Sequence, residues 1–106
     1  MNNISTFGGT IRDLRIANKL PIRKVAAFLD IDPATLSKIE RDERSANRNI
    51  ITKLADLFDT DYKELLVIFL SHKVACDLVK EECSDKVLQA AEQRLAFYKT
   101  KDLKGS

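Results

Sequence analysis

The sequence predicts an all-α fold, on three observations. Apolar residues recur three and four positions apart along the whole chain, and no stretch alternates apolar with polar as a half-buried strand does. Residues that start helices stand at intervals, at Pro21, Asp32-Pro33, Asn47, Thr60 and Ser84. The chain has 106 residues, 44% of them hydrophobic and 32% charged, which is the size of one domain around one core. With three Gly and two Pro it is neither collagen-like nor disordered.

The elements follow in order. Phe7, Ile11 and Leu14 share a face, and Asn18-Lys19 reads as a helix exit, so a first helix of about three turns is expected. Pro21 opens a second segment, since proline is tolerated where a helical N–H has no partner, and Ile22, Val25, Ala26 and Leu29 supply its buried stripe. Asp30-Ile31-Asp32 breaks it. Asp32-Pro33 starts a third helix, with the aspartate as cap and the proline at the first helical position, and Leu36 and Ile39 point inward. Asn47 caps a fourth carrying Ile50, Ile51, Leu54, Ala55, Leu57 and Phe58, and Thr60 caps a fifth from near Asp61. No breaker stands between Tyr62 and Glu82. Ser84 then caps a last helix with a stripe of Val87, Leu88, Ala91, Leu95 and Tyr98, followed by a polar tail, flexible over 101–106.

Composition narrows the function classes. The longest apolar run, Leu65 to Leu70, is far too short for a membrane span. The start, MNNISTFGGT, lacks the basic-then-apolar pattern of a secretory leader, and Cys76 and Cys83 have no disulfide-framework spacing, so a cytoplasmic protein is expected. The net charge of +2 is too small to announce a polyanion partner. Its distribution says more: residues 1–53 hold 10 basic and 6 acidic side chains and residues 54–106 hold 8 and 10, which makes the N-terminal half the better candidate. Enzyme readings lack support, because there is no glycine-rich phosphate loop, no nucleophile elbow and one histidine, and Gly8-Gly9 is too short to cradle a phosphate. His72 and Cys76 share a helix face, with Cys83 seven positions on, but a fourth ligand and the short paired spacing of structural zinc are missing. No metal and no cofactor are expected. Acidic neighbours of Cys83 also argue against a reactive thiolate.

The informative stretch is Ile22 to Arg41, IRKVAAFLDIDPATLSKIER. Val25, Ala26, Leu29, Ile31, Leu36 and Ile39 have the spacing of two short helices that cross steeply over a three-residue turn, with small Ala26 at the closest approach. This is the helix-turn-helix pattern, whose second helix enters the major groove of DNA, although any αα-corner needs similar packing.

From Thr10 to Leu66, the segments TIRDLRIANKL, VAAFL, LSKIERDER and IITKLADLFDTDYKELL together resemble the Cro and phage-repressor-like (XRE) helix-turn-helix family over slightly more than half the chain. The resemblance implies a five-helix repressor-like domain over residues 1–70, with 71–100 as a C-terminal helical extension. It places an arginine–glutamate pair at Arg15 and Glu40, where a guanidinium fork on a partly buried carboxylate fixes the angle of the recognition helix. The family's base-reading positions fall on Pro33, Ala34, Ser37 and Lys38, with Thr35 nearby. Lys38 can donate to guanine and is the first choice for specificity, Thr35 and Ser37 can bond a base edge or phosphate, and Ala34 can touch a thymine methyl. Arg44 and Arg48 resemble the family's backbone and minor-groove arginines, and Arg23 and Arg41 are placed to meet phosphates.

The departures matter. Pro21 and Ile22 replace the phosphate-bonding Ser/Thr and Gln of the family, Asp30 and Asp42 replace glycines, and Ala46 replaces a proline. Asp30, Asp32, Asp42 and Glu43 put negative charge near the phosphate path. Binding is therefore expected to be weak or to rely on dimerisation, with backbone amides at helix N-termini standing in for the lost anchors.

Leu65 to Leu70 is apolar on every side of a helix and needs burial on two fronts. A homodimer through Leu65 to Tyr98, with Leu65, Ile68, Phe69, Leu88 and Leu95 at the interface, supplies the second front and sets the half-site spacing. The plainer possibility is that residues 71–99 fold back to enlarge the monomer core. The expected function is a double-stranded DNA regulator acting on an operator, a repressor or a restriction-modification controller. The alternative is a helical protein-interaction module, or an antitoxin, with a protein partner and weak DNA binding.

Overall fold

In a computed structural model the structure describes residues 5–101, which are all-helical with no strand among them. The elements are α1 (Phe7–Ala17), α2 (Ile22–Leu29), α3 (Pro33–Glu40), α4 (Arg48–Leu57), α5 (Tyr62–Leu78) and α6 (Ser84–Thr100). The chain divides within α5, after His72, into two compact units. The part of the expected flexible tail beyond Lys101 lies outside the described residues.

The first unit is built around one apolar core. Ile11 of α1, Val25 and Ala26 of α2, Leu36 and Ile39 of α3, Ile51 and Leu54 of α4 and Leu65 of α5 are each almost wholly excluded from solvent. Each falls on the inward stripe of its helix, Leu36 and Ile39 three apart and Ile51 and Leu54 likewise, so the pattern that forms each helix also joins it to its neighbours. α3 packs on α1 and on α2, and α2 also on α4. Phe7 meets Phe69 edge to face, with ring centroids 5.1 Å apart, closing the core between α1 and α5.

Local chemistry starts most of these helices. Thr6 accepts from the Gly9 N–H, Asp32 from Ala34 and Asn47 from Ile50, each at 2.8–2.9 Å. Three start signals act one residue away from their expected places. Pro21 is the cap of α2 and not its first helical residue, in an extended conformation (φ −72°, ψ 156°) that the pyrrolidine ring accepts without strain. Asp61 heads α5, its carboxylate 3.4 Å from the Lys63 N–H, while the Thr60 hydroxyl donates to the Phe58 carbonyl. Cys83 is the cap of α6, without a side-chain bond, and Ser84 is the first helical residue.

The helix ends share one device. After α1, α2, α3 and α4 the chain turns through Lys19, Asp30, Asp42 and Asp59, all left-handed, with φ of 52–61°. In each case the next N–H reaches back five residues: Leu20 to Arg15, Ile31 to Ala26, Glu43 to Lys38 and Thr60 to Ala55. This is the Schellman closure, a position glycine fills at least cost. The two family glycines replaced by Asp30 and Asp42 thus stand where the backbone itself asks for glycine. α5 ends at Leu78 although no Gly or Pro marks it, with Val79 and Lys80 in a turn.

Of the interface residues named from the sequence, Leu65 is 1% exposed and Phe69 8%, both in the core of the first unit, and Ile68 is partly buried against the same core. Six consecutive apolar residues mark a helix as buried somewhere without saying which face is inside; here it is the Leu65–Phe69 face, and Val67 and Leu70 remain exposed. α6, described by itself, buries none of its residues: Leu88 is 52% and Leu95 54% exposed, and Val87, Phe97 and Tyr98 are exposed with them.

Candidate nucleic-acid interface

α3 is fixed from its inner side and presented on its outer one. Leu36, Ile39 and Glu40 are buried, Pro33, Ala34 and Lys38 are exposed, and Thr35 and Ser37 are half-buried between the two faces. The turn of α2 into α3 is tight because Ala26 is fully buried at the crossing and its carbonyl accepts from Ile31 N–H at 3.0 Å.

Three contacts hold the far end of α3. Arg15 reaches across from α1, with Nε 2.7 Å from Glu40 Oε2 and Nη2 3.1 Å from Oε1, while Nη1 donates to the Leu20 carbonyl at 3.0 Å. The fork satisfies a carboxylate whose side chain is only 4% exposed. Asp42, just past α3, accepts the Gly8 N–H at 2.9 Å and lies 3.6 Å from His72 Nε2 of α5. Gly8 has to be glycine there, because a Cβ would stand 2.6 Å from the Glu40 carbonyl oxygen. The first turn of α1 therefore rests directly on the last turn of α3. Nothing in the sequence marks this junction: Gly8-Gly9 reads only as too short to cradle a phosphate, and Asp42 only as a glycine replacement and a repulsive charge.

The arginines divide into two groups. Arg23, Arg44 and Arg48 are exposed, with Arg48 the first residue of α4. Arg41 is also exposed but engaged: Nη1 donates to Ser37 Oγ at 2.6 Å, and Nε and Nη2 to the two oxygens of Glu43 at 3.1 and 3.2 Å. Those bonds, and the Arg41 charge, hold the Glu43 carboxyl below the usual carboxylate range and raise the Arg41 guanidinium in turn.

Of the four carboxylates expected to oppose phosphate, three have donors of their own: Asp32 on the α3 N-terminus, Asp42 on the α1 N-terminus and Glu43 on Arg41. Asp30 stands exposed at its turn. Side-chain caps also occupy the N-termini of α1, α3 and α4, whereas Pro21 gives α2 no side-chain bond, so among these four helices the backbone amides expected to replace the lost anchors are best available at α2. Among the described residues no three His, Cys, Asp or Glu side chains gather as metal ligands, and both cysteines are exposed. No helix among them is long and apolar enough to cross a membrane.

A helix-turn-helix family model matches residues 11–65, from within α1 to the first turn of α5. The chain is 38% identical over 64 residues to RghRB of Bacillus subtilis (strain 168), an uncharacterized HTH-type transcriptional regulator, covering 59% of this chain. The matched part is 46% of that protein, so the chain spans about half the length of this relative. No solved structure matches.

Proposed function

The chain belongs to the Cro and phage-repressor-like (XRE-type) helix-turn-helix family, and on that premise we propose that it is a transcriptional regulator that binds operator DNA as a homodimer. The observation that carries this reading is α3: a helix held by its buried residues and the Arg15 fork, with Ala34 and Lys38 on its open face. A rigidly held helix can place side chains against base edges reproducibly, which specific readout requires.

Each residue has a part in this reading. Lys38 donates to guanine O6 or N7, Ala34 lies against a thymine methyl, and Thr35 and Ser37 bond base edges or the nearest phosphate. Arg23, Arg44 and Arg48 meet phosphates or the minor groove, while Arg41 does so only on leaving Glu43. The uncapped amides of Ile22 and Arg23 take the phosphate that the family's missing side chains would take. The protein works in the cytoplasm and acts by occupancy, as a repressor or a restriction-modification controller, without chemistry.

Dimerisation belongs to α6. Leu88, Ala91, Leu95 and Tyr98 are spaced three, four and three apart, the repeat of a helix seam that packs against another helix. All four are exposed in the single chain. Paired with a second copy, the seam is covered and two recognition helices are carried together, as operators with half-sites about 34 Å apart require. The second reading, a protein-interaction module or antitoxin, is favoured by the same open face of α6 and by Pro21 and Ile22.

Anisotropy titration separates the two, using a labelled duplex from upstream of the gene and a scrambled control at several salt concentrations. Tight, selective binding with a steep salt slope supports the operator reading. Equal, weak binding to both duplexes rejects it in favour of the interaction module.

A further inference from the structure

The contacts around Arg41 contain an anion that the interface itself supplies. Past α3 the chain reverses through the left-handed turn at Asp42 (φ 61°), and the Glu43 N–H closes on the Lys38 carbonyl at 2.8 Å. That reversal brings Glu43 back beside the last turn of α3. There its carboxylate takes both forked donors of Arg41, and the Lys38 charge also acts on it. One carboxylate thus holds the Arg41 guanidinium at this end of the recognition helix, in the role a DNA phosphate would take. The third Arg41 bond, to Ser37 Oγ, ties the same guanidinium to a base-reading position.

We propose that Glu43 is a specificity-determining residue that acts as an internal phosphate mimic, holding Arg41 away from DNA except where the base contacts of α3 are made. The proposal rests on the DNA-binding reading above. Its logic is competitive. Binding to arbitrary sequence is driven almost wholly by phosphate neutralisation and counterion release, and an arginine already paired with a carboxylate contributes little to either. At a matching site Ser37 and Lys38 settle on base edges, the phosphate chain is brought into register, and Arg41 exchanges Glu43 for phosphate. Both side chains are 55% exposed, so the exchange faces little desolvation cost. Glu43 therefore weakens non-specific binding more than specific binding, and the ratio between them rises.

The test uses the full chain in four forms: unchanged, Glu43→Gln, Arg41→Gln and the double variant. Each is titrated into the upstream duplex and a labelled random-sequence duplex across a range of salt. In the Arg41 background, Glu43→Gln should tighten binding to the random duplex by up to about tenfold at 0.1 M salt and steepen its log–log salt slope by about 0.9, one phosphate. The upstream duplex should gain less, so discrimination falls. In the Arg41→Gln background the same substitution should leave the slope nearly unchanged. Equal effects in both backgrounds would mean general charge repulsion and overturn the proposal, as would no effect in either. Carboxyl NMR of the free protein supplies a readout independent of DNA: Glu43 should titrate below the usual carboxylate range and return toward it in Arg41→Gln, and an ordinary midpoint in the unchanged protein overturns the Arg41–Glu43 pairing the proposal needs. If the unchanged protein binds neither duplex, the DNA reading fails, and the proposal with it, even though the carboxyl titration stands.

Discussion

Replacing Arg15 by Met is expected to destabilise the first unit by about 3–5 kcal/mol, because it leaves a buried carboxylate without its counter-charge. Two bonds to Glu40, at 2.7 and 3.1 Å, disappear together, as does the 3.0 Å bond to the Leu20 carbonyl. The Glu40 side chain, 4% exposed, cannot turn to water for replacements. Against a total of roughly 5–15 kcal/mol for a small domain this is a large loss. Glu40→Leu should cost less, since the stranded Arg15 is 13% exposed and keeps its bond to Leu20. The double variant should recover most of the loss, as buried ion pairs replaced whole by apolar side chains often do. Urea unfolding followed by helical circular dichroism measures all three. A loss under about 1 kcal/mol for Arg15→Met would match an exposed surface pair and refute the reasoning. Additive losses in the double variant would show that the two side chains do not act as a unit.

Asp30→Gly should stabilise the fold by about 0.5–1 kcal/mol by relieving a left-handed aspartate, whereas Asp42→Gly should show no such gain in the same thermal melts because it also removes the acceptor of the Gly8 N–H. Leu88→Glu with Leu95→Glu should yield folded monomers by sedimentation if α6 forms the dimer, and an unchanged dimer would put the interface elsewhere. Lys38→Ala should lower discrimination between operator and mutated sites by about 1–3 kcal/mol, while Arg48→Ala should weaken all duplexes alike and flatten the salt slope by about one phosphate; a Lys38→Ala protein with unchanged site preference removes that residue from the readout.

How much of this is legible in the sequence depends on the reach of the contact involved. Asp32 and Asn47 are readable as caps because their partners lie two and three residues on, inside the span over which residue type controls geometry. Thr60-Asp61 is ambiguous by one position because both residues can cap and only the backbone path chooses. The Arg15–Glu40 fork spans 25 residues and is visible only through family resemblance. The Gly8–Asp42–His72 junction spans more and has no local signature, since a glycine at a close approach looks like any other glycine. Leu65 and Phe69 illustrate a different limit. Hydrophobicity all round a helix states that burial is needed, and only the tertiary arrangement decides which face the domain uses and which it leaves for something else.

Electrostatics near α3 show the same dependence on short geometry. Counted as formal charges, Asp30, Asp32, Asp42 and Glu43 argue against a polyanion partner. In place, Asp32 and Asp42 each sit on a helix N-terminus, where the partial positive charge, roughly half an elementary charge, offsets part of their own. Glu43 is compensated by Arg41, one cation for one anion. What remains without a bonded counter-charge near α3 among the residues discussed is Asp30 on one side and, on the other, Arg23, Arg44 and Arg48, with Lys38 interacting with Glu43 through its charge alone. The field around α3 is thus less negative than the residue list suggests, and of the pairs described the Arg41–Glu43 one is the most exposed. On the reading proposed above, weaker binding to arbitrary DNA than to a matched site follows from one arrangement: carboxylates that hold the helices, Asp32 and Asp42, and one, Glu43, that competes with phosphate for Arg41.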